Sequence, residues 1–203
     1  MKARKISQSQ LSQLYKSGKS MKEISQILHC SQNKIVYWMN KYGITRRMRS
    51  EAVYIKANPL GDPFNIKQKL LPEDRFLLGL GIGLYWGEGE KVSKYSVRVA
   101  NTDPYLILTF SRFLKEICRV KTDKMRYSIV CFNDTDTFQA QQYWSKLLGV
   151  PAVKFGKIVQ IPKQGKGIYK RKSKFGVCTL TVSNMKLKEW IMKEVNKLKN
   201  TPR

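Results

Sequence analysis

At 203 residues, 42% hydrophobic and 11% aromatic, the chain is long and apolar enough to bury the cores of one medium domain and a small one. Thirty-nine Lys and Arg against fourteen Asp and Glu leave a charge of +25, which points to a polyanionic partner, nucleic acid before a membrane surface. Four scattered cysteines with no CxxC pair argue against a zinc ribbon or a dense disulfide framework, and a single histidine argues against nucleases built on a His-Asn-His motif.

The chain starts Met1-Lys2-Ala3-Arg4-Lys5 and continues into polar residues, with no apolar core of a signal peptide, so the expected location is cytoplasmic, nucleoid-associated in a bacterium. From residue 7 to 44 the spacing predicts three short helices. Leu11, Leu14 and Tyr15 make the first apolar face, and Gly18 ends it. Ser20-Met21-Lys22-Glu23 has the form of a capping box, followed by Ile24, Ile27 and Leu28 at helical spacing. His29 and Cys30 form a tight turn, with His29 read as a turn residue rather than a ligand. Ser31 caps a third helix bearing Ile35, Trp38 and Met39. The run GKSMKEISQILHCSQNKIVYWM resembles the resolvase-type and transposase-type helix-turn-helix pattern GxSxxEIAxxLxVSxxTVYxWL, over about 40 residues. That resemblance implies a third helix in the major groove, with Gln32, Asn33, Lys34 and Tyr37 toward base edges. Lys41, Arg46, Arg47 and Arg49 would touch phosphates just beyond it.

Residues 46–71 read as a basic linker, helical near Ser50 to Lys56 and turn-rich at Asn58-Pro59-Leu60-Gly61-Asp62-Pro63. Pro72-Glu73-Asp74 then opens a helix, with proline and two acids in its first turn. In Phe76 to Glu90, FLLGLGIGLYWGEGE, Gly79, Gly83 and Gly87 recur every four residues and form one smooth helical stripe. Each glycine costs roughly 1 kcal/mol relative to alanine in a helix interior. Either something packs against that stripe at close range, or the run is a glycine-rich core helix ending in a glycine cap. Its apolar length, about a dozen residues, is too short for a membrane helix.

Gly83-Leu84-Tyr85-Trp86-Gly87-Glu88-Gly89 resembles the second half of the LAGLIDADG motif of homing endonucleases and their relatives. Tyr85-Trp86 departs from it, standing where the family usually has an aliphatic residue and an aspartate. Since there is a single motif, the resemblance implies a homodimer whose seam is Gly79, Gly83 and Gly87. Two Glu88 carboxylates would then converge at its base and bind Mg²⁺, a hard cation suited to oxygen ligands, which would activate water for phosphodiester hydrolysis. Glu90, beyond the motif, is expected to play a surface role.

Beyond the motif, Tyr95 to Ala100 and Met125 to Phe132 read as strands, and Val153 to Ile161 with Phe175 to Val182 as a hairpin. Helices are expected after Asn101-Thr102-Asp103-Pro104, over Asp134 to Leu148 with Phe138 on its apolar side, and from about Asn184 with Leu198 inward. The fold class is α+β: a three-helix module (1–45), a linker (46–71) and a LAGLIDADG-like antiparallel sheet covered by helices on one face (72–203). In the DNA-facing saddle that the LAGLIDADG resemblance implies, Arg98, Arg126, Lys154 and Lys157 are candidates to meet DNA from the exposed strand faces. The connection from Lys163 to Lys174, with Lys170, Arg171 and Lys172 among its basic residues, is expected to meet phosphates.

These readings converge on double-stranded DNA as partner, with no membrane and no small-molecule cofactor. A homodimeric, metal-dependent, site-specific endonuclease with Glu88 as catalytic metal ligand is the leading expectation. A transcriptional regulator that keeps the fold and binds without cutting is the alternative. A basic RNA-binding accessory protein, with the glycine helix as mere core, is a third.

Overall fold

The computed structural model describes residues 5–162 and 173–200. It is α+β, with eight α-helices and one four-stranded sheet among those residues, and it divides into two compact units between Asp62 and Pro63. The segment read as a linker is therefore shared between them. Its first part forms the helix α4, and its last part packs into the second unit.

In the first unit, α1 (Gln8–Lys16), α2 (Met21–Ile27) and α3 (Gln32–Lys41) enclose Ile6, Leu11, Tyr15, Ile24, Ile35, Trp38 and Met39. The helix ends sit where the side chains can satisfy the free N–H groups. Ser20 Oγ accepts the Glu23 N–H at 3.2 Å, and Glu23 Oε2 accepts the Ser20 N–H at 2.8 Å, the reciprocal pair of a capping box. Those bonds also hold the Glu23 carboxyl below its ordinary range. Ser31 caps α3 through Oγ, which accepts the Lys34 N–H at 3.3 Å. Between α2 and α3 the chain reverses at His29, whose φ of 45° is left-handed, and the Cys30 N–H closes onto the Ser25 carbonyl at 2.9 Å. Tyr42 stacks on Trp38 with ring centroids 5.3 Å apart and donates to the Ile6 carbonyl at 2.6 Å, tying the segment before α1 to the end of α3. The helix α4 (Arg49–Ala57) follows.

The second unit starts at Pro63. The Asn65 and Lys67 N–H groups donate to the Cys118 and Ile117 carbonyls, and Phe64, Ile66 and Leu70 pack on the core. Then come α5 (Pro72–Glu88), β1 (Val97–Asn101), α6 (Pro104–Arg112), β2 (Met125–Phe132), α7 (Thr137–Leu148), β3 (Val159–Ile161), β4 (Val177–Val182) and α8 (Met185–Lys199). Asp74 starts α5: it accepts the Leu71 N–H at 2.9 Å and pairs with Lys67 Nζ at 2.7 Å. Asp103, Asp136 and Asn184 cap α6, α7 and α8 through their side-chain oxygens. After Arg112 the helix widens into one π turn, Phe113–Ile117. That turn carries Phe113 onto α5 and into an aromatic run from Tyr85 through Phe110 and Phe113 to Trp190.

The strand order is β1-β4-β2-β3. β4 is antiparallel to both β1 and β2, and β3 is parallel to β2, so the sheet is mixed rather than antiparallel. The expected hairpin of Val153–Ile161 with Phe175–Val182 does not form. Both edges of β4 are taken by β1 and β2, and β3 pairs with the other edge of β2. Val153 stands in a 3-10 turn, and the strand is limited to Val159–Ile161. On one face Val97, Val99, Met125, Tyr127, Ile129, Cys178, Leu180 and Val182 are buried with the inner sides of the helices. Burial pushes the Cys178 thiol up to about 12, so it is an inert core group. Two residues expected inward are exposed instead, Phe138 on α7 and Leu198 near the end of α8. No helix among the described residues is long and apolar enough to cross a membrane.

Candidate nucleic-acid interface

The core side of α3 is Ile35, Trp38 and Met39, which turns Gln32, Asn33, Tyr37, Asn40 and Lys41 to solvent, with Lys34 and Val36 half-buried at the margins. The residues expected to face bases thus share one exposed surface. Two further members, Val36 and Asn40, escaped the sequence reading. The signal was present, since Asn40 follows Asn33 by seven residues, two turns of the same helix face. Lys41 Nζ lies 5.0 Å from the centre of the Trp38 ring and 6.0 Å from that of Tyr37, which holds the cation at one edge. Arg46 and Arg49 are exposed, but Arg47 is already employed. Its guanidinium stacks 3.9 Å from the Tyr15 ring centre and donates to the Tyr15 and Lys19 carbonyls, and its N–H donates to the Tyr15 hydroxyl at 2.8 Å. That clamp fixes the chain after α3 against α1 and engages two of the five guanidinium N–H donors.

The second surface is the sheet face away from the helices. Strand pairing sets its side chains in rows: Arg98, Thr181 and Arg126 in one, then Ala100, Thr179 and Ser128, then Val177, Val130 and Val159. All of these are exposed or half-buried. Arg98 and Arg126 lie two strands apart, about 10 Å, with a hydroxyl between them. Arg126 also bends back to donate to the Asp123 carbonyl. The hydroxyl-bearing middle strand was legible as alternation in Val177 to Val182, but its place between β1 and β2 was not. Lys154 and Lys157 lie outside the strands, in the 3-10 turn and the connection after it. Lys170, Arg171 and Lys172 lie outside the described residues.

The third feature is α5. A Cβ added at Gly79, Gly83 or Gly87 would meet no atom of the described residues within 4 Å, so within the described C-terminal unit the stripe is open. The close approach falls instead on Gly81, where a Cβ would sit 2.2 Å from Phe113 Cγ. The open stripe is flanked by Phe76 at 73% exposure and Leu80 at 40%. Glu88 is exposed in the last turn, and the Gly87 carbonyl beside it accepts from Lys91 Nζ at 3.1 Å.

Below this tip is a buried cluster that sequence reasoning missed. Lys188 on α8, only 3% exposed, donates through Nζ to the Tyr85 hydroxyl and the Glu90 carbonyl, both at 2.5 Å. Burial lowers the Lys188 ammonium from its ordinary range, against the pull of the Glu90 carboxylate, and pushes the Tyr85 phenol up to about 12. Glu90 is half-buried, and its carboxylate accepts the Ser93 N–H at 2.8 Å, which keeps it below the usual range. It shapes the turn after α5. Nothing in the sequence marks Lys188, because a lysine in a basic amphipathic helix reads as surface.

Among the described residues no three His, Cys, Asp or Glu side chains group closely enough to hold a metal ion. Glu88 belongs to no such group, so the described residues of one chain do not by themselves fit a divalent cation. Comparison with known proteins yields no matching family model, no matching curated protein and no matching solved structure.

Proposed function

We propose that this is a sequence-specific DNA-binding protein. Its N-terminal unit acts as a helix-turn-helix with α3 in the major groove, and its sheet unit is a LAGLIDADG-like domain that lays its open face on duplex DNA. The observation that carries the proposal is the outward side of α3: exposed amides and an aromatic, with lysines at one edge, on a capped helix in a chain of charge +25. The row of Arg98, Thr181 and Arg126 supports it, being a donor set suited to phosphates.

The test is anisotropy with labelled duplexes against salt and unlabelled competitor. Log affinity is expected to fall linearly with log salt, at about 0.9 per phosphate engaged, and one duplex sequence should survive excess random DNA. Tighter binding to a structured RNA than to any duplex would defeat the proposal in favour of an RNA-binding role.

Cleavage is the second reading, favoured by one observation: α5 presents an open glycine stripe, flanked by Phe76 and Leu80, that ends at an exposed Glu88. A second copy packed along that stripe would supply the second carboxylate that a magnesium ion requires. Cutting would then be a property of a dimer only. Double-strand breaks with Mg²⁺, lost in Glu88→Gln while DNA affinity stays, would support it; binding without cutting by both proteins would leave a regulator.

A further inference from the structure

The side that α3 turns to solvent is chemically uneven. At about 100° per residue, the buried Ile35, Trp38 and Met39 place Asn33, Tyr37 and Asn40 diametrically opposite the core. Val36 borders this stripe on one side, and Lys34 and Lys41 border it on the other. Helix α3, QNKIVYWMNK, contains no arginine.

We infer that α3 reads adenine–thymine pairs, with Asn33 and Asn40 on adenines and Val36 against a thymine methyl, while its lysine edge holds phosphates. This rests on the proposed placement of α3 in the major groove. A carboxamide is donor and acceptor at once, and adenine alone presents the matching pair in that groove, the N7 acceptor beside the N6 amino group. Guanine offers two acceptors, N7 and O6, and is served best by an all-donor fork such as arginine, which the stripe lacks. The two lysines do not fill that role, since they stand at the edge and Lys41 is held over the Trp38 ring. Asn33 and Asn40 are seven residues apart, about 10 Å of helix, a span of about three base pairs. Val36 lies between them in sequence and supplies the apolar contact that a thymine methyl takes.

The experiment selects duplexes bound by the full chain from a randomised pool and repeats the selection with Asn33→Ala, Asn40→Ala and Lys41→Ala. All three side chains are exposed, and circular dichroism confirms that each variant is folded. The expected result is adenine at two positions about three base pairs apart, each relaxed by one of the asparagine substitutions alone. Substituting 7-deazaadenine there should cost about 5- to 150-fold in affinity for the native chain and nothing further for the matching variant. Lys41→Ala should weaken all sequences alike. Guanine at the positions that respond to Asn33 and Asn40, or a preferred sequence indifferent to both substitutions, would overturn this inference and leave DNA binding standing. Failure to enrich any duplex would overturn the DNA-binding proposal itself.

Discussion

Among the described residues the apolar core of the N-terminal unit has seven buried side chains between three helices joined by short turns, whereas that of the C-terminal unit has twenty-five, and there β1 pairs with a strand some eighty residues later. The contrast lies in where the contacts come from. In the first unit each cap and each apolar face is written within a few residues, so the fold follows from local chemistry. In the second, the decisive contacts are remote: β4 inserts between β1 and β2, Phe113 settles on Gly81, and Lys188 reaches Tyr85 and Glu90. A small core stands on few side chains and fails when one is lost. A larger core fails where its close approaches are blocked.

The largest effect is expected at the closest approach. Gly81→Leu drives a side chain into Phe113 and should abolish the cooperative melting of the C-terminal unit, while the N-terminal helices persist by circular dichroism and NMR. Unfolding of both units together would show that they are not independent. Ile24→Ala, in the smaller core, should cost about 2–5 kcal/mol and melt the N-terminal unit ahead of the sheet. Sequence preference should then disappear before affinity for DNA does.

A smaller effect is the acid sensitivity of the C-terminal unit. Asp74 is held below its ordinary 3.8, first by Lys67 and then by the Leu71 N–H. A folded value below the unfolded one means stabilisation that is complete above the ordinary value and lost as pH falls through the folded one. The melting temperature of the C-terminal unit should therefore drop below about pH 4. Asp74→Asn should melt lower at neutral pH and respond less to acid; an unchanged acid response would assign it to other carboxylates.

Between the two surfaces proposed to meet DNA, Arg98→Ala should make the salt dependence shallower by about one contact without altering the preferred sequence. Altered preference would make the sheet a reader of bases. The least effect is expected at Gly83→Ala. With open space around the added methyl, the isolated chain should gain about 1 kcal/mol of helix stability. If a second copy packs on the stripe, sedimentation should show weaker self-association in this variant.

Local chemistry made much of the protein legible. The capping box at Ser20 and Glu23, the turn at His29, the start of α5 at Pro72 and the alternation in β2 and β4 all stand where the residues point. The candidate base-facing residues Gln32, Asn33 and Tyr37 share a face because a helix has a fixed period, and the same period places Asn40 beside them. Alternation could not reveal which strands are neighbours, because it encodes which face is buried and nothing about the partner. The hairpin expected from Val153 to Val182 is absent for that reason.

Three glycines in register marked α5 as unusual, but only packing decided that the fourth, Gly81, takes the contact and that the stripe stays open. Arg47 and Lys188 look alike in sequence, as basic residues in a basic chain. Tertiary structure turned one into a clamp on Tyr15 and buried the other under the tip of α5. The sequence by itself determined the helices, their caps, the outward chemistry of α3 and the charge of +25, since those depend on spacing and composition. Strand order, the open stripe and the fate of individual cations were decided only when segments far apart in the chain competed for the same space.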